Sequence, residues 1–325
     1  MRTRVSDLLG IDYPIVQGGL AYLSLAPLAA AVSNAGGLGQ IGVAGLATPA
    51  DLRSEIAHYR TLSQHPFGVN FPIGIKPMEE FLEVALEADA PVVSFTGGNP
   101  EALLRRTQAA GAGTRTLVLV AGVRAARKAE DLGADAVIAV GFEGGGHLGR
   151  DDLGTLVLVP RIAEAVKIPV LASGGIADGR GFAAALALGA TGVELGTRFV
   201  AVTEGNAHPA YKAAIVAAEE TDTVIIERSI GRPARVLRSP FVEQLLAIEA
   251  DLARRGATRE EALPEMLPFI LGENNTRAAI DGDLEHGFVW GGQVVGLIHD
   301  IPTTADLIWH MVRTARSISH TMSAL

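Results

Sequence analysis

Leu132-Gly133-Ala134-Asp135-Ala136-Val137-Ile138-Ala139-Val140, continued by Gly141-Phe142-Glu143-Gly144-Gly145-Gly146-His147-Leu148-Gly149, takes the chain out of a helix, through a strand and into a loop with few Cβ atoms. Gly133 stops the helix, and the apolar or small residues 136–140 read as a buried strand. The glycines that follow leave room for a flat ligand beside one imidazole. Taken alone, the loop reads equally as a glycine-rich turn with a solvated histidine. The same helix-to-strand step recurs at Leu188-Gly189-Ala190-Thr191-Gly192-Val193. That echo marks a repeated βα unit and therefore a parallel sheet.

Outward from these two steps, apolar runs predict strands at 14–17, 39–42, 67–71, 92–95, 116–120, 136–140, 169–173 and 193–196. Helical composition fills the gaps at 25–34, 49–59, 77–87, 100–110, 123–132, 159–166 and 179–188. Eight strands alternating with helices over about 200 residues fit an α/β TIM (β/α)8 barrel better than an open doubly wound sheet. After Phe199 the character changes. Residues 206–275 read as helices with one β-like run at 223–226, so this segment is expected to be an α-helical insertion or lid that covers the substrate. Residues 1–205 and 276–325 then make up the barrel, with a last helix at 304–317 packing back on it.

Composition limits the chemistry. The 325 residues contain no cysteine, which excludes disulfides, thiolate metal sites and a thiol nucleophile, so redox chemistry needs a bound organic cofactor or a non-thiolate metal. The formal net charge of −9 gives no overall attraction to nucleic acid or anionic membrane. No apolar run approaches a membrane span and the first residues lack a signal-peptide core, so a cytoplasmic protein is expected. No His-x-x-x-His pair or obvious metal set of histidines and carboxylates is present, and no metal site is expected. The exposed helical addition offers a surface for a homodimer.

In a TIM barrel the reactive groups lie at the C-terminal ends of the strands. Those positions hold Gln17, Gly18, Gly19, Asn70, Ser94, the 143–147 loop, Ser173-Gly174-Gly175 and Gly196-Thr197. The glycine turns after the seventh and eighth strands fall where loop amides commonly hold a phosphate, with the hydroxyls of Ser173 and Thr197 as further donors. His147 is the one histidine at an expected strand end, and imidazole suits proton transfer at a reacting centre. Asp151 and Asp152 follow it, either to orient the ring or to cap the next helix. Ala35-Gly36-Gly37-Leu38-Gly39 lies between a helix and a strand, the wrong order for a dinucleotide fingerprint. Trp290-Gly291-Gly292-Gln293 is a further polar and glycine cluster that the pattern alone does not place.

These segments resemble a known family. Residues 11–19 (Ile-Asp-Tyr-Pro-Ile-Val-Gln-Gly-Gly), 31–39, 66–70, 145–149, 172–179 and 196–199 together look like the FMN-dependent TIM barrels of the nitronate monooxygenase (2-nitropropane dioxygenase) family, and the likeness extends over nearly the whole chain. Similar motifs occur in FMN-dependent enoyl-acyl-carrier-protein reductases and NADH:quinone reductases, and Gly98-Asn99-Pro100 and 198–209 look at least as much like the reductases. Some of those quinone reductases carry a lysine near the positions held here by Leu119 and Val120. The resemblance implies FMN with its phosphate on Gly174, Gly175, Gly196 and Thr197. It also implies the flavin ring near Gln17, Gly18, Gly19 and Asn70, with His147 at its reactive edge as the catalytic residue. Oxidation of alkyl nitronates by dioxygen is the leading expectation. Reduction of an enoyl thioester or quinone, with NADH or NADPH as transient donor, is the alternative; a non-redox barrel acting on a phosphorylated substrate is a third.

Overall fold

Eight parallel strands curl around a common axis in the computed structural model, which describes residues 1–111 and 113–324. They are β1 (Ile15–Gln17), β2 (Gly39–Gly42), β3 (Phe67–Pro72), β4 (Val92–Thr96), β5 (Arg115–Val120), β6 (Ala136–Val140), β8 (Val170–Ser173) and β9 (Gly192–Leu195). Their order is β1-β9-β8-β6-β5-β4-β3-β2, and a parallel bridge from Val16 to Leu38 draws β1 towards β2. The sheet is thereby nearly closed, and helices surround it: a TIM barrel, as the repeated βα step predicts. Each expected strand is present, with ends moved by no more than one residue.

Alternation along the strands sorts the side chains. Val16, Leu38, Val92, Leu117, Ala136, Ile138 and Leu171 form one buried cluster inside the barrel. A larger cluster, including Ile15, Val69, Phe71, Phe95, Phe182 and Ile308, lies between strands and helices. The helix Thr304–Met322 packs on Gly179–Ala187 so closely that a Cβ on Gly179 would lie 2.5 Å from the carbonyl oxygen of Met311. The helix Thr155–Ala165 begins earlier than its composition predicts. Its opening run, Thr155-Leu156-Val157-Leu158-Val159, reads as β, but the Glu143 carboxylate accepts hydrogen bonds from Thr155 N at 2.9 Å and Thr155 Oγ1 at 2.9 Å and so fixes a helix start.

The segment 206–275 holds more β-structure than the single run expected at 223–226. Beside β10 (Thr223–Ile226) runs an antiparallel partner, β11 (Ala234–Leu237), and β11 pairs in turn with β7 (Gly146–His147) from the glycine loop. Pro233 and the charged Arg235 disguise β11 in the sequence, yet Arg235 is buried and donates to Thr223 Oγ1 and the carbonyl of Phe142. Helices Pro240–Arg255 and Arg259–Ile270 complete this segment around Ile226, Ile230, Val236, Leu245, Leu252 and Met266. The loop that carries His147 is therefore an edge strand of this small sheet.

No helix among the described residues is long and apolar enough to cross a membrane. Among the same residues, no group of three or more His, Asp or Glu side chains is placed to hold a metal ion.

Candidate active site

The rim of the barrel is polar where its interior below is apolar. Asn70 Nδ2 donates to Ser94 Oγ at 2.9 Å, Ser94 Oγ donates to Gln40 Oε1 at 2.6 Å, and Gln40 Nε2 donates to the carbonyl of Gln17 at 2.9 Å. This relay fixes the Asn70 amide with its Oδ1 beside Gly19. A Cβ on Gly19 would lie 2.0 Å from that oxygen, so only glycine fits there. Gln17 itself turns the other way. Its Nε2 donates to Ser24 Oγ at 2.9 Å and its Oε1 accepts from Gln40 N at 3.0 Å, which stitches β1 to β2 and to the helix layer. Of the expected polar rim residues, then, Asn70 reaches the site through its side chain, while Gln17 contributes only its backbone.

Opposite the relay, Ser173 Oγ donates to Glu194 Oε2 at 3.0 Å. Glu194 is buried, its Oε1 has no hydrogen-bond partner, and a Cβ on Gly18 would lie 3.2 Å from its carboxyl carbon. Burial pushes its carboxyl up to about 7, against the opposing pull of the Ser173 hydrogen bond. Glu194 escaped notice in the sequence although a charge inside the strand Gly192-Val193-Glu194-Leu195 is an available signal.

Beyond these residues the backbone takes over. Gly174 and Gly175 have φ of 82° and 74°, in the left-handed region, and a Cβ on Gly174 would lie 2.8 Å from the carbonyl oxygen of Gly141. The N–H groups of Gly174, Gly175, Gly196 and Thr197 meet no backbone acceptor among the described residues. Four free amides in two adjacent loops, the second opening the short helix Thr197–Val200, are donors suited to a phosphate. Thr197 Oγ1 accepts from Gly292 N at 3.0 Å, so its own hydrogen stays available. Ser173, by contrast, directs its hydrogen to Glu194.

That contact also places the C-terminal glycine cluster. Gln293 N donates to the carbonyl of Glu143 at 2.9 Å, and a Cβ on Gly145 would lie 2.7 Å from Gly292 N. Residues 290–293 thus close over the glycine loop, and the Trp290 ring lies 5.4 Å from the His147 ring, centroid to centroid. His147 is about half exposed, with its Nε2 at 3.1 Å from Arg232 Nη2 and 3.5 Å from Glu227 Oε2. Asp152 does not orient it. Its carboxylate pairs with Arg228 of the segment 206–275 at 3.0 Å, and Arg150 Nε donates to the carbonyl of Gly231 at 2.9 Å. Glu227, Arg228 and Arg232 were not singled out in the sequence, because only the pairing of β7 with β11 brings them to His147.

An α/β barrel with free strand-end amides, a polar relay and one histidine on a single rim has the layout of a barrel enzyme whose reactive groups lie at the C-terminal ends of the strands. The chain belongs to the nitronate monooxygenase family, whose sequence profile covers residues 2–81 and 73–314, and it is an oxidoreductase. Its structure is similar to that of FabK from Thermotoga maritima, with 42% identity, a TM-score of 0.90, and coverage of 100% of this chain and 99% of the other. It is also similar to nitroalkane oxidase from Streptomyces ansochromogenes, with 30% identity, a TM-score of 0.82, and coverage of 98% and 100%. In sequence it is 33% identical to the (3aS,4S,5R,7aS)-5-hydroxy-7a-methyl-1-oxo-octahydro-1H-indene-4-carboxyl-CoA dehydrogenase of Rhodococcus jostii, over 97% of this chain and 96% of the relative.

Proposed function

We propose that the chain binds FMN and oxidises small alkyl nitronates with dioxygen. One observation carries the reading: the free amides of Gly174, Gly175, Gly196 and Thr197 and the half-exposed imidazole of His147 belong to loops of the same rim. The first group suits the phosphate of FMN, and the glycines around it leave no side chain where a planar ring has to lie. Bound there, FMN would supply the electron and oxygen chemistry that a chain without cysteine lacks. Asn70, held by Ser94, offers a fixed amide to the polar edge of such a ring. His147 binds the nitro oxygens, or takes the proton from carbon when the neutral nitroalkane is the substrate. The Trp290 ring packs beside that imidazole, 5.4 Å from centroid to centroid.

A second reading is favoured by two likenesses, the 42% identity to FabK and the 33% identity to a carboxyl-CoA dehydrogenase, each over nearly the full chain. In it NADH or NADPH is the donor and an enoyl thioester or quinone the acceptor, with His147 orienting the acceptor. Anaerobic mixing separates the two. The purified protein is expected to be yellow and to be bleached by a nitronate. Bleaching by NADH or NADPH with none by the nitronate would overturn the first reading, and a colourless protein would overturn both.

A further inference from the structure

Glu227 combines four features that seldom coincide in one residue. Its backbone is left-handed, with φ of 64°, a strained conformation for a residue with a Cβ that persists only where its surroundings enforce it. Its side chain is only 2% exposed. Its Oε2 is buried without a hydrogen-bond partner. That same oxygen is 3.5 Å from His147 Nε2 and 3.6 Å from Arg232 Nε. The surroundings that enforce the strain are visible: Glu249 accepts from Glu227 N at 3.1 Å, from Ser229 N at 3.0 Å and from Ser229 Oγ at 2.8 Å, and Arg232 N donates to the carbonyl of Glu227 at 3.0 Å. A buried lid carboxylate, Glu249, thus holds the turn that aims a second one at the imidazole.

We propose that Glu227 is a positioning residue for His147: its Oε2 accepts the Nε2 proton of the neutral ring and leaves Nδ1 as the basic nitrogen that meets the substrate. The proposal rests on the reading of His147 as the residue that faces substrate. Two groups compete for Nε2. Arg232 only donates, so its contact with Nε2 at 3.1 Å requires the proton on Nδ1. Glu227 only accepts when ionised, so it requires the proton on Nε2. Magnitudes decide between them. Leaving a buried carboxylate oxygen without a donor costs about 1–3 kcal/mol or more, and of the two groups near Glu227 Oε2 the His147 Nε2, at 3.5 Å, is nearer than Arg232 Nε, at 3.6 Å. Arg232 is 49% exposed and loses little by turning its donors to water. The Nε2–H form therefore prevails, and a shift of about half an ångström brings the 3.5 Å contact into ordinary hydrogen-bond range. This is the arrangement of a base oriented by a third group, with the orienting carboxylate supplied by the lid. When His147 takes a proton at Nδ1, the Glu227 carboxylate stabilises the resulting imidazolium.

The test is ring-nitrogen NMR on the flavin-loaded protein, with His147→Asn to assign the signal. The wild type is expected to show the Nε2–H form, Glu227→Gln to shift the ring to the Nδ1–H form, and Arg232→Met to keep Nε2–H. An Nδ1–H ring in the wild type, or no change in Glu227→Gln, overturns the proposal. Glu227→Asp, which keeps the charge, is the second variant and is expected to restore part of the Nε2–H population. Kinetics add a readout that a purely structural role would not move. Glu227→Gln is expected to lower kcat on a neutral nitroalkane by about tenfold to a hundredfold and to leave kcat on its preformed nitronate within about twofold. Equal losses on both substrates overturn the proposal. A wild type that turns over neither nitro compound overturns the nitronate reading instead, and the NMR result alone then decides where the proton lies.

Discussion

Replacing Glu194 by glutamine should make the protein more stable at neutral pH and leave it nearly unchanged in mild acid. Glu194 lies inside the barrel with Oε1 unpartnered and Oε2 bonded only to Ser173. Its folded carboxyl is pushed up from an ordinary 4.5 to about 7 by burial. The folded state therefore holds the proton more tightly than the unfolded chain does. The sign follows: the contribution of this group to stability is fully present below about pH 4.5 and is lost as pH rises through about 7. At about 1.4 kcal/mol per pH unit, the full loss is about 3 kcal/mol, most of which falls between pH 5 and pH 8. Other groups titrate in the same window, so the useful quantity is the difference between Glu194→Gln and the wild type, both flavin-free, by urea unfolding at each pH. That difference should grow in favour of the variant by about 2 to 3 kcal/mol from pH 5 to pH 8. A difference that stays flat to within about 0.5 kcal/mol would refute the reasoning, because it would mean that Glu194 ionises as readily folded as unfolded.

Three further outcomes follow from the same geometry. His147→Ala should retain FMN, measured by visible absorbance after gel filtration, and lose turnover by at least about a hundredfold; preserved turnover would make the histidine a loop residue only. Gly174→Ala places a Cβ 2.8 Å from the Gly141 carbonyl oxygen on a backbone with φ of 82°, so it should lower stability by about 1–3 kcal/mol and weaken FMN binding, read by quenching of flavin fluorescence. Asp152→Asn breaks an ion pair whose partners are 44% and 45% exposed, and thermal unfolding should register less than about 1 kcal/mol.

The barrel was legible because it is written locally. Each βα unit carries its own stop and start, such as Gly133 before β6 and Gly189 before β9, and the spacing of apolar runs then counts the strands. The position of the candidate phosphate loops was legible for the same reason, since Gly174, Gly175, Gly196 and Thr197 follow directly on β8 and β9. What stayed hidden depends on pairing between distant segments. Strand β11 contains an arginine and follows a proline, and only its register with β7, Ala234 opposite His147, shows that Glu227 and Arg232 stand at the imidazole. Gln17 failed differently. Its position at a strand end was right, but the one-residue alternation that sends Val16 into the barrel sends Gln17 out to Ser24. The same parity puts Glu194 inside, where no pattern of apolar residues would place a carboxylate and where it sits between Ser173 and Gly18. The rim thus contains two kinds of information: backbone donors set by single strands and loops, and three side chains, His147, Glu227 and Arg232, whose meeting requires β11 to pair with β7. Loss of residues 206–275 should accordingly leave the loops of Gly174, Gly175, Gly196 and Thr197 in place and remove both groups that compete for the His147 ring.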